Sequence, residues 1–106
     1  MIVRFWSART TNAKSRAYLQ LFSSEVLPAL RKLDGYVSSS VLTRPAESAV
    51  EVLVLTAWQS ISAIDAFAGP DREAAVVTPE AAALLTDYDR RVRHFEVATA
   101  DNLSFG

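Results

Sequence analysis

Residues 49–58, Ala-Val-Glu-Val-Leu-Val-Leu-Thr-Ala-Trp, restrict the folds open to this chain more than any other stretch. β-Branched and aromatic residues dominate it, as they do in pleated strands. Successive side chains along a strand point to opposite faces. Four aliphatic residues in a row, Val52 to Leu55, therefore put apolar groups on both sides, and both faces of this strand must be covered. Extended to Trp58, the run is still far short of a membrane span.

Other elements follow from pattern. Residues 2–9 carry Val3, Phe5 and Trp6 and read as a strand buried on both sides. Thr10-Thr11-Asn12 supplies oxygens to cap a helix over about 13–33, where Tyr18, Phe22, Val26 and Leu30 recur every four residues, with Leu19, Leu27 and Leu33 widening the stripe. Pro28 lacks an N–H and clashes with the preceding turn, which predicts a kink or break. Asp34-Gly35 ends the segment. Residues 36–44 form a second strand, joined to 49–58 by a hairpin at 44–48. Ser60 caps a second helix carrying Ile61, Ile64, Phe67 and Ala68, and Gly69-Pro70 stops it. A short helical turn is expected over 71–77, and Thr78-Pro79-Glu80 starts another helix. Residues 91–99 alternate as a last strand, and a loose tail or arm is expected after Ala100.

The order β-α-β-β-α-β predicts a ferredoxin-like α+β domain over residues 1–106: a four-stranded antiparallel sheet with its helices on one face. The other face is too apolar to meet water, because the first and third strands carry large apolar residues on both sides. Pairing with a second copy by two-fold symmetry covers it most simply, so a homodimer through the sheet face is expected. The alternative is that segment 69–90 folds over that face.

Chemistry is bounded by what is scarce. The net charge is −1 with no basic block, which argues against nucleic acid. With no cysteine there is no thiolate nucleophile and no disulfide, fitting a reducing cytoplasm. The N-terminal apolar run is too short, and charged too soon, for a signal peptide, so a soluble cytoplasmic protein is expected, with no membrane partner. One histidine among scattered carboxylates offers no metal-ligand spacing, and three glycines leave no phosphate loop or dinucleotide fingerprint. Neither a metal nor a cofactor is expected.

Gly35 before the second strand, Thr56-Ala57-Trp58-Gln59-Ser60 closing the third, and Phe67 beyond it resemble the antibiotic-biosynthesis-monooxygenase-like family of the dimeric α+β barrel superfamily. Phe67-Ala68-Gly69-Pro70-Asp71, Ala75 to Ala81, and Val92-Arg93-His94-Phe95-Glu96-Val97 extend the resemblance over nearly the whole chain. It implies two facing sheets in a dimer, with a pocket between sheet and helices or inside the barrel. It also implies cofactor-independent oxygenation of a small aromatic or quinol-type compound that itself supplies electrons to O₂. A non-catalytic dimeric binding protein and a cofactor-free isomerase are the alternatives. Haem-cleaving relatives carry an asparagine, a tryptophan and a histidine where this chain has Trp6, Phe67 and the neighbourhood of Val76-Val77, which argues against haem cleavage.

His94, the lone histidine, is the candidate base, because only its side chain titrates near neutrality unperturbed; the other reading is an inert strand residue. Trp6, Trp58 and Phe67 are candidate walls for a flat substrate, with core packing the alternative, favoured for Trp58. The resemblance places Trp6 with Arg4 on the barrel-facing side of strand one. Arg4 and Tyr36 are candidate polar orienters, and Tyr18, Tyr88, Arg9 and Arg93 are further polar groups that can meet an oxygen.

Overall fold

Nine consecutive pairs join β1 (Ile2–Thr10) to β3 (Ala49–Trp58) in an antiparallel ladder, from Ile2 opposite Trp58 to Thr10 opposite Val50. The computed structural model describes residues 1–101, so most of the tail expected after Ala100 lies outside the described residues. β2 (Tyr36–Ala46) pairs with the far side of β3 through the expected hairpin. The other edge is built in two pieces, β4 (Asp87–Tyr88) and β5 (Arg93–Glu96), both antiparallel to β1. The sheet order is β2-β3-β1, then β4 and β5, with helices on one face, as the α+β ferredoxin-like reading required.

The long helix begins where Thr11 accepts from the Lys14 N–H. It runs as α1 (Asn12–Leu21), passes through a π turn (Phe22–Val26) and continues as α2 (Leu27–Arg31). Pro28 does not break it. The Leu27 N–H reaches five residues back to the Phe22 carbonyl, and the proline sits in the first turn of α2, where a missing N–H costs least. Tyr18, Phe22 and Leu30 are buried as the four-residue spacing predicted, whereas Leu19 is exposed.

Strand parity sorts the side chains. Arg4, Trp6 and Ala8 share a face with Thr56, Val54 and Val52, and that face packs under the helices with Trp58, Ile64 and Ala81. This corrects the barrel-facing placement of Arg4 and Trp6. Their cross-strand partners are the buried residues of β3, so the pleat turns them towards the helices. Val3, Phe5, Leu53 and Leu55 point to the opposite face, where no helix lies, together with Leu42 and Phe95.

Segment 69–90 also departs from expectation. After α3 (Ile61–Ala68) it does not cover the open sheet face, and it is not helical over 71–77. A turn closes from the Ala74 N–H to the Asp71 carbonyl, and Ala74 then bridges to Arg91. The Val92 and Ala75 N–H groups donate to the Glu73 and Arg90 carbonyls. That pairing pulls residues 90–92 away from β1 and explains why the expected strand over 91–99 is confined to 93–96. α4 (Pro79–Ala83) follows, capped by Thr78, and packs Ala81 into the core.

Gly35 shows how closely the layers approach. Its φ is +85°, and a Cβ there would stand 2.5 Å from the Ala63 Cβ. Both the left-handed backbone and the contact exclude other residues. Gly35→Ala is expected to cost about 1–3 kcal/mol, read as a lower urea midpoint with an unchanged slope; a neutral effect would mean α3 does not press on this turn.

Candidate functional site

Between sheet and helices lies a cavity of ≈ 420 Å³. Its sheet side is Arg4, Trp6, Val54 and Thr56; its helix side includes Tyr18, Phe22, Val26 and Leu30. Phe67 of α3, Val76 and Val77 of the following segment, and Ala81 of α4 close it. The walls are mainly aliphatic and aromatic, with a few polar groups, the usual make-up of a small-molecule site.

Arg4 is the only charged residue buried among those described, at 4% exposure. Its Nη1 donates to the Arg72 carbonyl at 2.6 Å and to His94 Nε2 at 3.0 Å, and its Nη2 donates to the Ala74 carbonyl at 2.8 Å. The guanidinium also lies 5.5 Å from the Phe67 ring centre, a cation–π distance. Burial lowers its pKa from the ordinary value, although an arginine stays charged. Arg4 thus straps the 72–74 segment to the sheet while forming part of the cavity wall.

His94 is opposite Arg4 on β5 and does not line the cavity. A guanidinium can only donate, so Nε2 must be the acceptor and the proton of the neutral ring sits on Nδ1. Burial lowers its pKa first, and the Arg4 charge lowers it further. Trp58 is fully buried, donates Nε1–H to Thr56 Oγ1 at 2.8 Å and stacks on Phe67, so it supports the wall from behind. Tyr36 sits edge-on to Trp58, its hydroxyl on Ser39, away from the cavity. Trp6 does line it, held by Nε1–H donation to the Asp89 carbonyl at 2.8 Å. Of the expected pocket residues, the structure brings together Arg4, Trp6 and Phe67.

Tyr18, Thr56 and the aliphatic closure of Val76 and Val77 were not singled out as a group. Tyr18 was legible as a helix-stripe residue, and only its height on the helix puts it over the sheet cavity. Burial pushes its hydroxyl up to about 12, so it remains an O–H donor at any ordinary pH. Glu25, at the solvent end of the wall, is exposed.

The depressed His94 value has a consequence for stability. The unfolded chain takes up the proton near the ordinary 6.5 while the folded one does not. Stability present above that pH is therefore lost as pH falls through 6.5 towards the lower folded value. The arginine-paired carboxylates Asp65, Asp71 and Asp87 have values lowered from 3.8, so their losses come at lower pH. Thermal denaturation should show Tm falling between pH 7 and 5, and His94→Gln should flatten that slope; an unchanged slope would free His94 of the role.

No protein-family model and no curated protein matches the chain. Solved structures do. A candidate antibiotic biosynthesis monooxygenase from Bacillus cereus is similar over 99% of this chain and 98% of its own, with TM-score 0.68 and 17% identity. Another from Deinococcus radiodurans is similar over 99% and 100%, with TM-score 0.63 and 15% identity. The haem degrader MhuD from Mycobacterium tuberculosis, with two haems bound in its active site, is similar over 96% and 100%, with TM-score 0.60 and 21% identity. Haem iron needs a His, Cys, Met or Tyr ligand. Here His94 is off the cavity and its Nε2 is engaged, no cysteine exists, the single methionine is Met1, and Tyr18 is held protonated. Trp6, Phe67, Val76 and Val77 line the cavity without offering a ligand atom to iron. The residues present do not fit a haem. What the comparisons do establish is architecture: this chain has the α+β fold of the antibiotic biosynthesis monooxygenase-like proteins, which MhuD shares.

Proposed function

We propose that the chain is a cofactor-independent monooxygenase acting on a small aromatic or quinol-type compound held between sheet and helices. The observation that carries this reading is the cavity, flat-walled by Trp6 and Phe67, with a single buried cation and a protonated tyrosine. The fold neighbours support the reaction class. Trp6 and Phe67 sandwich the ring, Tyr18 and Thr56 donate to its oxygens, and Arg4 stabilises negative charge as the electron-rich compound reacts with O₂.

His94 enters as a positioning residue. It stands one hydrogen bond behind Arg4 and turns the guanidinium without touching the substrate. A second reading, a non-catalytic binding protein, is favoured by the same observation, because the one carboxylate on the cavity wall, Glu25, stands at its exposed end and His94 does not line it. A cofactor-free isomerase would use the cavity without consuming O₂.

The open sheet face supports pairing with a second copy. Phe5, Leu53, Leu55 and Phe95 lie there uncovered, Phe95 half exposed, and segment 69–90 is engaged on the helix side. A mass in solution twice that of the chain, reduced to the chain mass by Leu55→Asp, is expected; a wild-type monomer at micromolar concentration would remove this interface.

Oxygen uptake with hydroquinone and anthrone-type compounds tests the activity. Trp6→Ala should lower kcat/KM roughly tenfold, about 1.4 kcal/mol of lost contact. His94→Gln, which keeps an acceptor for Arg4, should retain kcat, while His94→Ala should lose most of it. Equal loss in both would make His94 the base. Binding without O₂ uptake or isomerisation would leave the binding-protein reading.

A further inference from the structure

Arg4 lacks an anion. It is 96% buried by its 4% exposure, and no carboxylate among the described residues forms an ion pair with it. Its acceptors are two backbone carbonyls and a neutral imidazole. A buried charge without an opposite charge is costly, and proteins normally pair it. The acids of this region are already engaged with other arginines on the surface: Asp65 with Arg72, Asp71 and Glu73 with Arg91.

The guanidinium also keeps unused donors. Of its five N–H groups three are committed, which leaves the Nε–H and one N–H of Nη2. No buried side-chain nitrogen or oxygen lacks a partner among the described residues, so the unbonded Nε must border open space. Arg4 lines the cavity, and its two free donors are assigned to that side. Nε and Nη2 share one edge of the guanidinium, the edge that Arg72 uses to grip both carboxylate oxygens of Asp65 at 2.7 and 2.9 Å. That geometry takes a planar carboxylate bidentately and has less to offer a neutral oxygen.

We propose that the compound occupying the cavity carries a carboxylate, and that it completes the buried Arg4 as its missing counter-ion. The ligand class is an aryl carboxylate of modest size: the carboxylate on the Arg4 edge, the ring between Trp6 and Phe67, and any further oxygen towards Tyr18 or Thr56. This deepens the preceding reading and rests on the same cavity. It sets orientation, because a ring anchored at one end by a bidentate pair presents one face and one edge to the remaining walls. It also selects substrates, since a neutral analogue would leave the buried arginine unpaired.

A matched pair of probes tests it: 2-naphthoate and 2-naphthamide, equal in shape and differing in charge, titrated calorimetrically into the wild-type protein at pH 7.5. The carboxylate should bind at least tenfold more tightly than the amide and raise Tm where the amide does not. Arg4→Lys should weaken the acid and narrow that ratio, while Trp6→Ala should weaken both probes alike. Equal affinity for the two wild-type ligands would overturn the carboxylate assignment and leave an aromatic-binding cavity in place. Binding of neither would overturn both. The wild-type comparison decides the matter even if Arg4→Lys fails to fold.

Discussion

The ladder between β1 and β3 governs the rest of the molecule, because nine paired residues leave no freedom in which side chains share a face. A slip of one residue would turn Arg4 and Trp6 out to the bare side and bring Phe5 under the helices. With the observed register, Val52, Val54 and Trp58 build the core, and Thr56 and Arg4 stand directly opposite each other at its polar end. The cavity depends on this pairing, since every strand residue that lines it comes from these two strands.

On that ladder Arg4 is a junction between fold and site. Its hydrogen bonds hold β1 to β5 through His94 and to the 72–74 segment through two carbonyls. The same segment carries Val76 and Val77 to the cavity wall. A lysine at this position would keep the charge but present no planar fork, so it could not hold the same two carbonyls and the imidazole in one plane. The closing segment therefore depends on a residue that also faces the ligand space, which couples occupancy of the cavity to how firmly it is closed.

How much of this was legible in the sequence differs by element. The apolar run at 52–55, the four-residue spacing of Tyr18, Phe22 and Leu30, and the Gly35 stop were sufficient for the sheet, the long helix and their order, because those signals are local. The split edge strand was not legible, because residues 90–92 leave β1 only to pair with 73–75, a contact between segments with no periodic signal. The π turn was half legible: Pro28 announced an irregularity, but its form depended on Leu27 finding the Phe22 carbonyl. Within the site, aromatic type pointed to Trp6 and Phe67, whereas Trp58 and Tyr36 carry the same chemistry and were separated from them only by depth. Arg4 was read as one cation among several, and its burial, which sets it apart from Arg9 and Arg93, is a property of register and not of composition.

The two faces of the sheet differ in what covers them. The two-sided apolar pattern in β3 is answered on one side by the helices and segment 69–90, and that cover leaves a cavity with Arg4 and Thr56 among its otherwise mainly apolar walls. On the other side nothing in the described chain answers it. Phe5 and Phe95 meet edge-to-face there, with Arg93 lying over both rings, so the surface is arranged within itself and still apolar. Since the cavity lies on the helix side, association through the bare face would steady the sheet beneath it from the opposite side. On the proposed reading, ligand recognition and self-association would be separable by mutation, because Arg4 and Trp6 lie on one face of the same strand and Val3 and Phe5 on the other.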